Sequence, residues 1–121
     1  MDIVINPSLP EPIYSQIYSQ ISQEILNGTL SAGERLPPIR TIANELRISV
    51  IPVKMAWESL EKNGFISTEI GRGTFVKAMD KNEVDMRRRK DAESLAEDTC
   101  KRAKAMNISK AELLDLIEKC Y

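Results

Sequence analysis

Histidine is absent from this sequence, and cysteine occurs only as Cys100 and Cys120, far apart in the chain. Without histidine there is no Ser-His-Asp or Cys-His catalytic constellation, and without clustered cysteines there is no zinc-ligand spacing. Two cysteines are too few for a disulfide framework, so both are expected to be reduced core thiols of a cytoplasmic protein. No apolar run approaches the roughly 18 residues of a membrane span. The opening MDIVINPSLPEP has no basic region followed by an apolar run, so it does not read as a signal peptide. Charge of one sign is also lacking. Seventeen basic and 18 acidic side chains leave a formal net charge of −1, so a nucleic-acid partner has to be argued from local placement.

The 121 residues suit one domain, or a small domain with an appendage, and 42% hydrophobic content is enough to build a core. Residues 1–12 carry three prolines and read as an extended arm. Ile13, Ile17, Ile21 and Ile25 then recur every fourth residue, with Tyr14, Tyr18 and Leu26 beside them, which is one face of an amphipathic helix. Asn27-Gly28 stops it. Ser31-Ala32-Gly33 makes a turn, and Glu34-Arg35-Leu36-Pro37 follows as a short extended piece, because the residue before a proline is pushed out of the helical region.

A second helix is expected to open at Pro38, with Ile39, Ile42, Ala43 and Leu46 as its apolar stripe. Arg40, Thr41, Asn44 and Glu45 face elsewhere. The helix ends near Arg47-Ile48. Ser49 can cap a third helix, using the N–H of Ile51 since Pro52 offers none. Val53, Ala56, Trp57 and Leu60 form its buried stripe, which makes Trp57 a core residue rather than a ligand-stacking one, and Asn63-Gly64 ends it. FISTE and GTFVK then read as two strands joined by Ile70-Gly71-Arg72 in a β-hairpin.

After Ala78 charges crowd together. Val84, Arg88, Ala92, Leu95, Thr99, Ala103 and Met106 lie along one drifting helical stripe that Asn107 breaks. Ser109 followed by Glu112 is a capping box for a last short helix presenting Leu113, Leu116, Ile117 and Cys120 on one side. The run Arg87-Arg88-Arg89-Lys90 is surrounded by Asp80, Glu83, Asp85, Asp91 and Glu93. It reads as a solvated helix face with i, i+4 pairs in preference to a second DNA-contacting patch.

Two helices joined by a few residues match a helix-turn-helix, whose later helix enters the major groove by its N-terminal residues. Those are Ser49, Val50, Ile51 and Lys54. Lys54 can reach a guanine edge or a phosphate, whereas Val50 and Ile51 offer apolar contact, for instance with a thymine methyl. Three packed helices also occur as plain architecture, so periodicity alone leaves DNA binding open. The GRGTFV tip adds to it. An arginine between glycines can enter a narrow minor groove, and Gly71 and Gly73 let the backbone approach phosphates. GRGTFV lacks the Lys-Ser/Thr and following helix of a phosphate-binding P-loop, and no nucleophile-base pair is present, so no enzyme is expected.

The run ERLPPIRTIANELRISVIPVKMAWESLEKNGFISTEIGRGTFV resembles the winged-helix DNA-binding domain of the GntR family of bacterial transcription regulators. The preceding PIYSQIYSQISQEILNGTLSAGERLP is similar to that family's first helix and following loop, so the likeness covers roughly residues 10–77. The short tail is similar to the YtrA-type subgroup. The resemblance implies a mainly α fold with a small β-hairpin, that is, a winged helix-turn-helix domain over residues 1–79 and a C-terminal helical dimerisation segment over 80–121. It implies double-stranded DNA and a second copy of the chain as partners, no membrane and no cofactor or metal. It also implies a repressor role, with a transporter operon as the regulated target. Arg40, Ser49 and Lys54, and Gly71, Arg72, Gly73 and Thr74 fall at matching DNA-contact positions, and Thr41, Val50 and Ile51 are candidate contacts beside them. Pro38 stands where many members carry Ser, and Val50-Ile51-Pro52 where many carry Arg-Thr-Thr.

Two helices of the tail's size cannot wall a drug-sized ligand pocket within one chain. Their stripe (Val84, Ala92, Leu95, Thr99, Ala103, Met106, Leu113, Leu116 and Ile117) needs a partner, and a second copy is the economical one. Folding back to give a monomer is the alternative. A winged helix used for protein–protein contact without DNA is the alternative at the level of function.

Overall fold

A computed structural model describes residues 1–121. Its contacts divide the chain into two compact units, Met1–Asp80 and Lys81–Tyr121.

In the first unit, α1 (Ile13–Leu26), α2 (Ile39–Leu46) and α3 (Val50–Lys62) precede a hairpin of β1 (Ile66–Glu69) and β2 (Gly73–Val76). The every-fourth-residue isoleucines place Ile17, Ile21 and Ile25 inside, against Val53, Ala56, Trp57 and Leu60 of α3. Ile42 and Ala43 of α2 close the core. Each fully buried aliphatic side chain contributes about 1.5–3 kcal/mol relative to exposure. At the edge of this core Tyr18 meets the Phe65 ring edge-on at 6.1 Å, and its hydroxyl accepts from the Asn63 amide at 2.9 Å.

The hairpin is antiparallel, pairing Ile66 with Val76 and Glu69 with Gly73. Ile66 and Val76 are buried at its base. The extended piece at 34–36 is more than a connector. The Leu36 N–H donates to the Thr74 carbonyl (2.8 Å) and the Val76 N–H to the Glu34 carbonyl (2.9 Å), bridging Arg35 to Phe75 along the free side of β2. The N-terminal arm is likewise held rather than loose. Gln16 accepts from the Asn6 N–H (2.8 Å) and donates to the Asn6 carbonyl (3.0 Å), and Gln20 does the same with Val4 (2.9 and 2.6 Å). One helical turn thus sets two primary amides against alternate arm residues, as a neighbouring strand would.

Three local expectations need correction. Pro38 precedes α2 at the N-cap, with ψ 149°, and Ile39 is the first helical residue. Ser49 occupies the N-cap of α3, but its side chain makes no capping hydrogen bond. The third helical position, the usual recipient's, is Pro52, which has no N–H to offer. Cys100 and Cys120 are both exposed, not core thiols, because the helices bearing them bury almost nothing within the chain.

The second unit contains α4 (Lys81–Ala105) and α5 (Lys110–Cys120). Asn107, at φ 58°, ends α4. The Ile108 N–H reaches back to the Ala103 carbonyl (2.9 Å) and the Asn107 N–H to that of Lys104 (3.1 Å), the bonding of a Schellman stop. Ser109 caps α5 by accepting from the Glu112 N–H at 3.1 Å. Arg87 pairs with Glu83 (3.5 Å) and Arg89 with Glu93 (3.2 Å), each at i, i+4 on an open helix face. Among residues 81–121 only Ala103 is buried.

Candidate nucleic-acid interface

With Val53, Ala56, Trp57 and Leu60 turned into the core, a 100° step per residue sends Ile51, Lys54 and Met55 away from it, while Val50, nearly in line with Trp57 but at the first helical position, is 43% exposed. Ile51 is 66% exposed. Met55 stands one turn after Ile51 and was not anticipated from the sequence, although its i+4 spacing from Ile51 was legible. The N-terminus of α3 presents free backbone N–H groups and the positive end of the helix dipole. The Ser49 hydroxyl beside them is exposed and uncommitted. Arg40 and Thr41 lie on the outer side of α2, opposite buried Ile42 and Ala43. The turn between α2 and α3 is tight because Arg47 takes the left-handed conformation (φ 56°), with the Ile48 N–H bonded to the Ala43 carbonyl.

The hairpin tip has the backbone that its glycines allow. Gly71 lies at φ 79° and Gly73 at φ 122°, regions closed to most side chains. Arg72 between them is 75% exposed. Its guanidinium pairs with Glu69 at 3.2 Å and stands 6.0 Å from the centre of the Phe75 ring. An exposed pair of this kind contributes about 0–1 kcal/mol, so a phosphate can displace Glu69 at little cost. Thr74 is half-buried, its hydroxyl 3.3 Å from that of Thr68 across the hairpin. Ile70 at the tip is fully exposed, an apolar outlier that the alternation of FISTEI concealed.

In the second unit, α4 and α5 enclose an open groove of about 730 Å³. It gathers six of the nine stripe residues (Ala92, Leu95, Thr99, Ala103, Leu113 and Ile117), while Val84, Met106 and Leu116 lie outside it. The groove is larger than the two-helix reading allowed. It stays open because its walls are themselves exposed: Leu95 is 69% accessible, and Leu114 and Ile117 are also uncovered. Cys100 lines it too.

No cluster of carboxylates and thiols is arranged to hold a metal ion, and no helix is long and apolar enough to cross a membrane. The family described as "Bacterial regulatory proteins, gntR family" matches residues 13–76. The HTH-type transcriptional repressor YtrA of Bacillus subtilis is 36% identical over 74 residues, covering 61% of this chain and 57% of YtrA. The chain spans 14% and 27% of two other curated relatives, the uncharacterized HTH-type transcriptional regulator YdeF of Bacillus subtilis and the HTH-type transcriptional repressor STM4068 of Salmonella typhimurium. Among solved structures, a GntR family transcriptional regulator from Listeria monocytogenes superimposes with a TM-score of 0.74 at 28% identity, over 95% of this chain and 98% of the other. YtrA from Sulfolobus acidocaldarius, a GntR-family transcription factor, does so with a TM-score of 0.61 at 34% identity, over 78% and 97%. The family match runs from α1 through the helix-turn-helix to the wing, and the chain belongs to the GntR family of bacterial regulatory proteins.

Proposed function

We propose that the protein is a homodimeric repressor that binds a palindromic operator. Residues 1–79 form the DNA-binding domain and residues 80–121 the dimerisation tail. The observation that carries the reading is the outward N-terminal end of α3, where an uncapped serine, two exposed β-branched residues and Lys54 stand free of the core that anchors the same helix. Ser49 and Lys54 take phosphates or a guanine edge. Val50 and Ile51 take thymine methyls, so the preferred half-site is rich in A·T pairs where these residues enter the groove. Arg40 and Thr41 fix the approach of α2 to the backbone, while Gly71, Arg72, Gly73 and Thr74 bring the wing to the adjacent minor groove.

Two copies joined through the α4–α5 groove bury Leu95 and Ile117 and place two recognition helices about one helical turn, roughly 34 Å, apart. The regulated target we favour is a transporter operon, on the resemblance to YtrA-type regulators, and the working compartment is the cytoplasm.

Selection of bound sites from random duplex DNA, followed by fluorescence anisotropy across salt concentrations, tests the reading. The expected product is a two-fold symmetric site bound with steeply salt-dependent affinity. Enrichment of asymmetric single half-sites would refute the dimer. No enrichment at low ionic strength would refute operator binding.

A further inference from the structure

We propose that Arg35, which precedes the helix-turn-helix, is a second arginine of the wing and contacts a DNA phosphate beside Arg72. The proposal rests on the operator-binding reading above. Strand pairing decides where Arg35 goes. Its neighbours Glu34 and Leu36 are hydrogen-bonded to Val76 and Thr74, which sets Arg35 directly opposite Phe75. Residues opposite each other in an antiparallel pair share a face, and so do residues two apart in one strand. Arg35, Phe75, Gly73 and Glu69 therefore occupy one face of the wing, the one turned away from buried Ile66 and Val76.

On that face the Arg35 side chain crosses Gly73. A Cβ built on Gly73 would lie 2.8 Å from Arg35 Nε and 3.3 Å from its Cζ, so the glycine leaves the room that the guanidinium fills. The one carboxylate on this face, Glu69, is engaged by Arg72 at 3.2 Å. Arg35 is exposed and forms no ion pair. A guanidinium laid across a wing glycine with no protein partner is a planar fork held ready for an anion, and phosphate fits it in a DNA-binding protein. The wing face then carries two cations and one anion, and Arg35 is the cation that has no internal pair to break.

The test uses the full chain and its selected operator, with anisotropy from roughly 50 to 200 mM salt. Arg35→Ala is expected to weaken binding about tenfold or more at fixed salt. It should also make the slope of log K against log salt shallower by about 0.9, the share of one phosphate contact. The loss should be uniform across operator variants, as for a backbone contact. Arg35→Lys, which keeps the charge, should retain the wild-type slope and recover part of the affinity. Wild-type slope and affinity in Arg35→Ala would overturn the assignment while leaving operator binding intact. So would an affinity loss with unchanged slope and a lowered melting temperature, since that describes a brace for the wing. If the wild-type chain bound no duplex, the operator reading and this assignment would fall together.

Discussion

Replacing Ser49 separates two roles that a serine at the start of a helix can play. An N-cap serine normally accepts a hydrogen bond from an N–H of the first turn, and its loss to alanine costs about 1 kcal/mol, within a range of about 0.5–2. Here the Ser49 side chain makes no such bond, so Ser49→Ala should cost less than about 0.5 kcal/mol. For a domain of this size 1 kcal/mol moves the melting temperature by about 4–8 °C, so the expected shift is under about 4 °C. The hydroxyl is instead free for a phosphate oxygen. A hydrogen bond to a charged group contributes about 1.5–3 kcal/mol, so operator affinity should fall by about 10- to 150-fold. Ser49→Asp gives the opposite sign on stability: a carboxylate at the positive end of α3 adds about 0.3–1 kcal/mol. It should still abolish measurable operator binding by repelling phosphate. Thermal melts followed by circular dichroism, with anisotropy on the same preparations, read both quantities. A drop of 5 °C or more in Ser49→Ala at unchanged affinity would show that Ser49 is a cap after all and that the phosphate assignment is wrong.

Other variants address the core, the wing and the tail. Leu60→Ala, at a fully buried site between α1 and α3, should destabilise by about 2–5 kcal/mol in urea unfolding. Gly73→Ala combines a positive φ of 122° with the 2.8 Å approach to Arg35, and should cost about 1–3 kcal/mol by the same measurement. Arg72→Ala should leave stability within about 0.5 kcal/mol, its pair being exposed, while weakening operator binding at low salt. Ile117→Asp puts a charge in the tail groove and should convert a dimer into a monomer by light scattering without loss of helicity. A dimer that persists would place the interface elsewhere.

Much of the fold was legible because its signals are short-range. Isoleucine at every fourth position dictated α1 and its inward face, and the Val53, Ala56, Trp57, Leu60 spacing did the same for α3. Outward placement of Ile51 and Lys54 follows from that spacing, since a helix with one face in the core must present the other. The tip of the wing was readable from Gly71 and Gly73, whose backbone angles other residues resist. The Ser109–Glu112 cap and the Asn107 stop were visible for the same reason, each resting on bonds that span five residues or fewer.

Features that join distant segments left no such trace. Nothing in the periodicity of residues 33–36 shows that they pair with β2 some forty residues on, yet that pairing sends Arg35 across Gly73. The glutamines at 16 and 20 look like ordinary polar positions of α1 until the arm is found lying against them. Cys100 and Cys120 satisfied a helical apolar pattern and were still exposed. Apolar spacing states which side of a helix seeks cover, but not what supplies that cover. Hydrogen bonds and repeats close in sequence are written into neighbouring residues. Contacts between distant segments depend on the packed arrangement of whole elements, and that arrangement brought Arg35 to the wing.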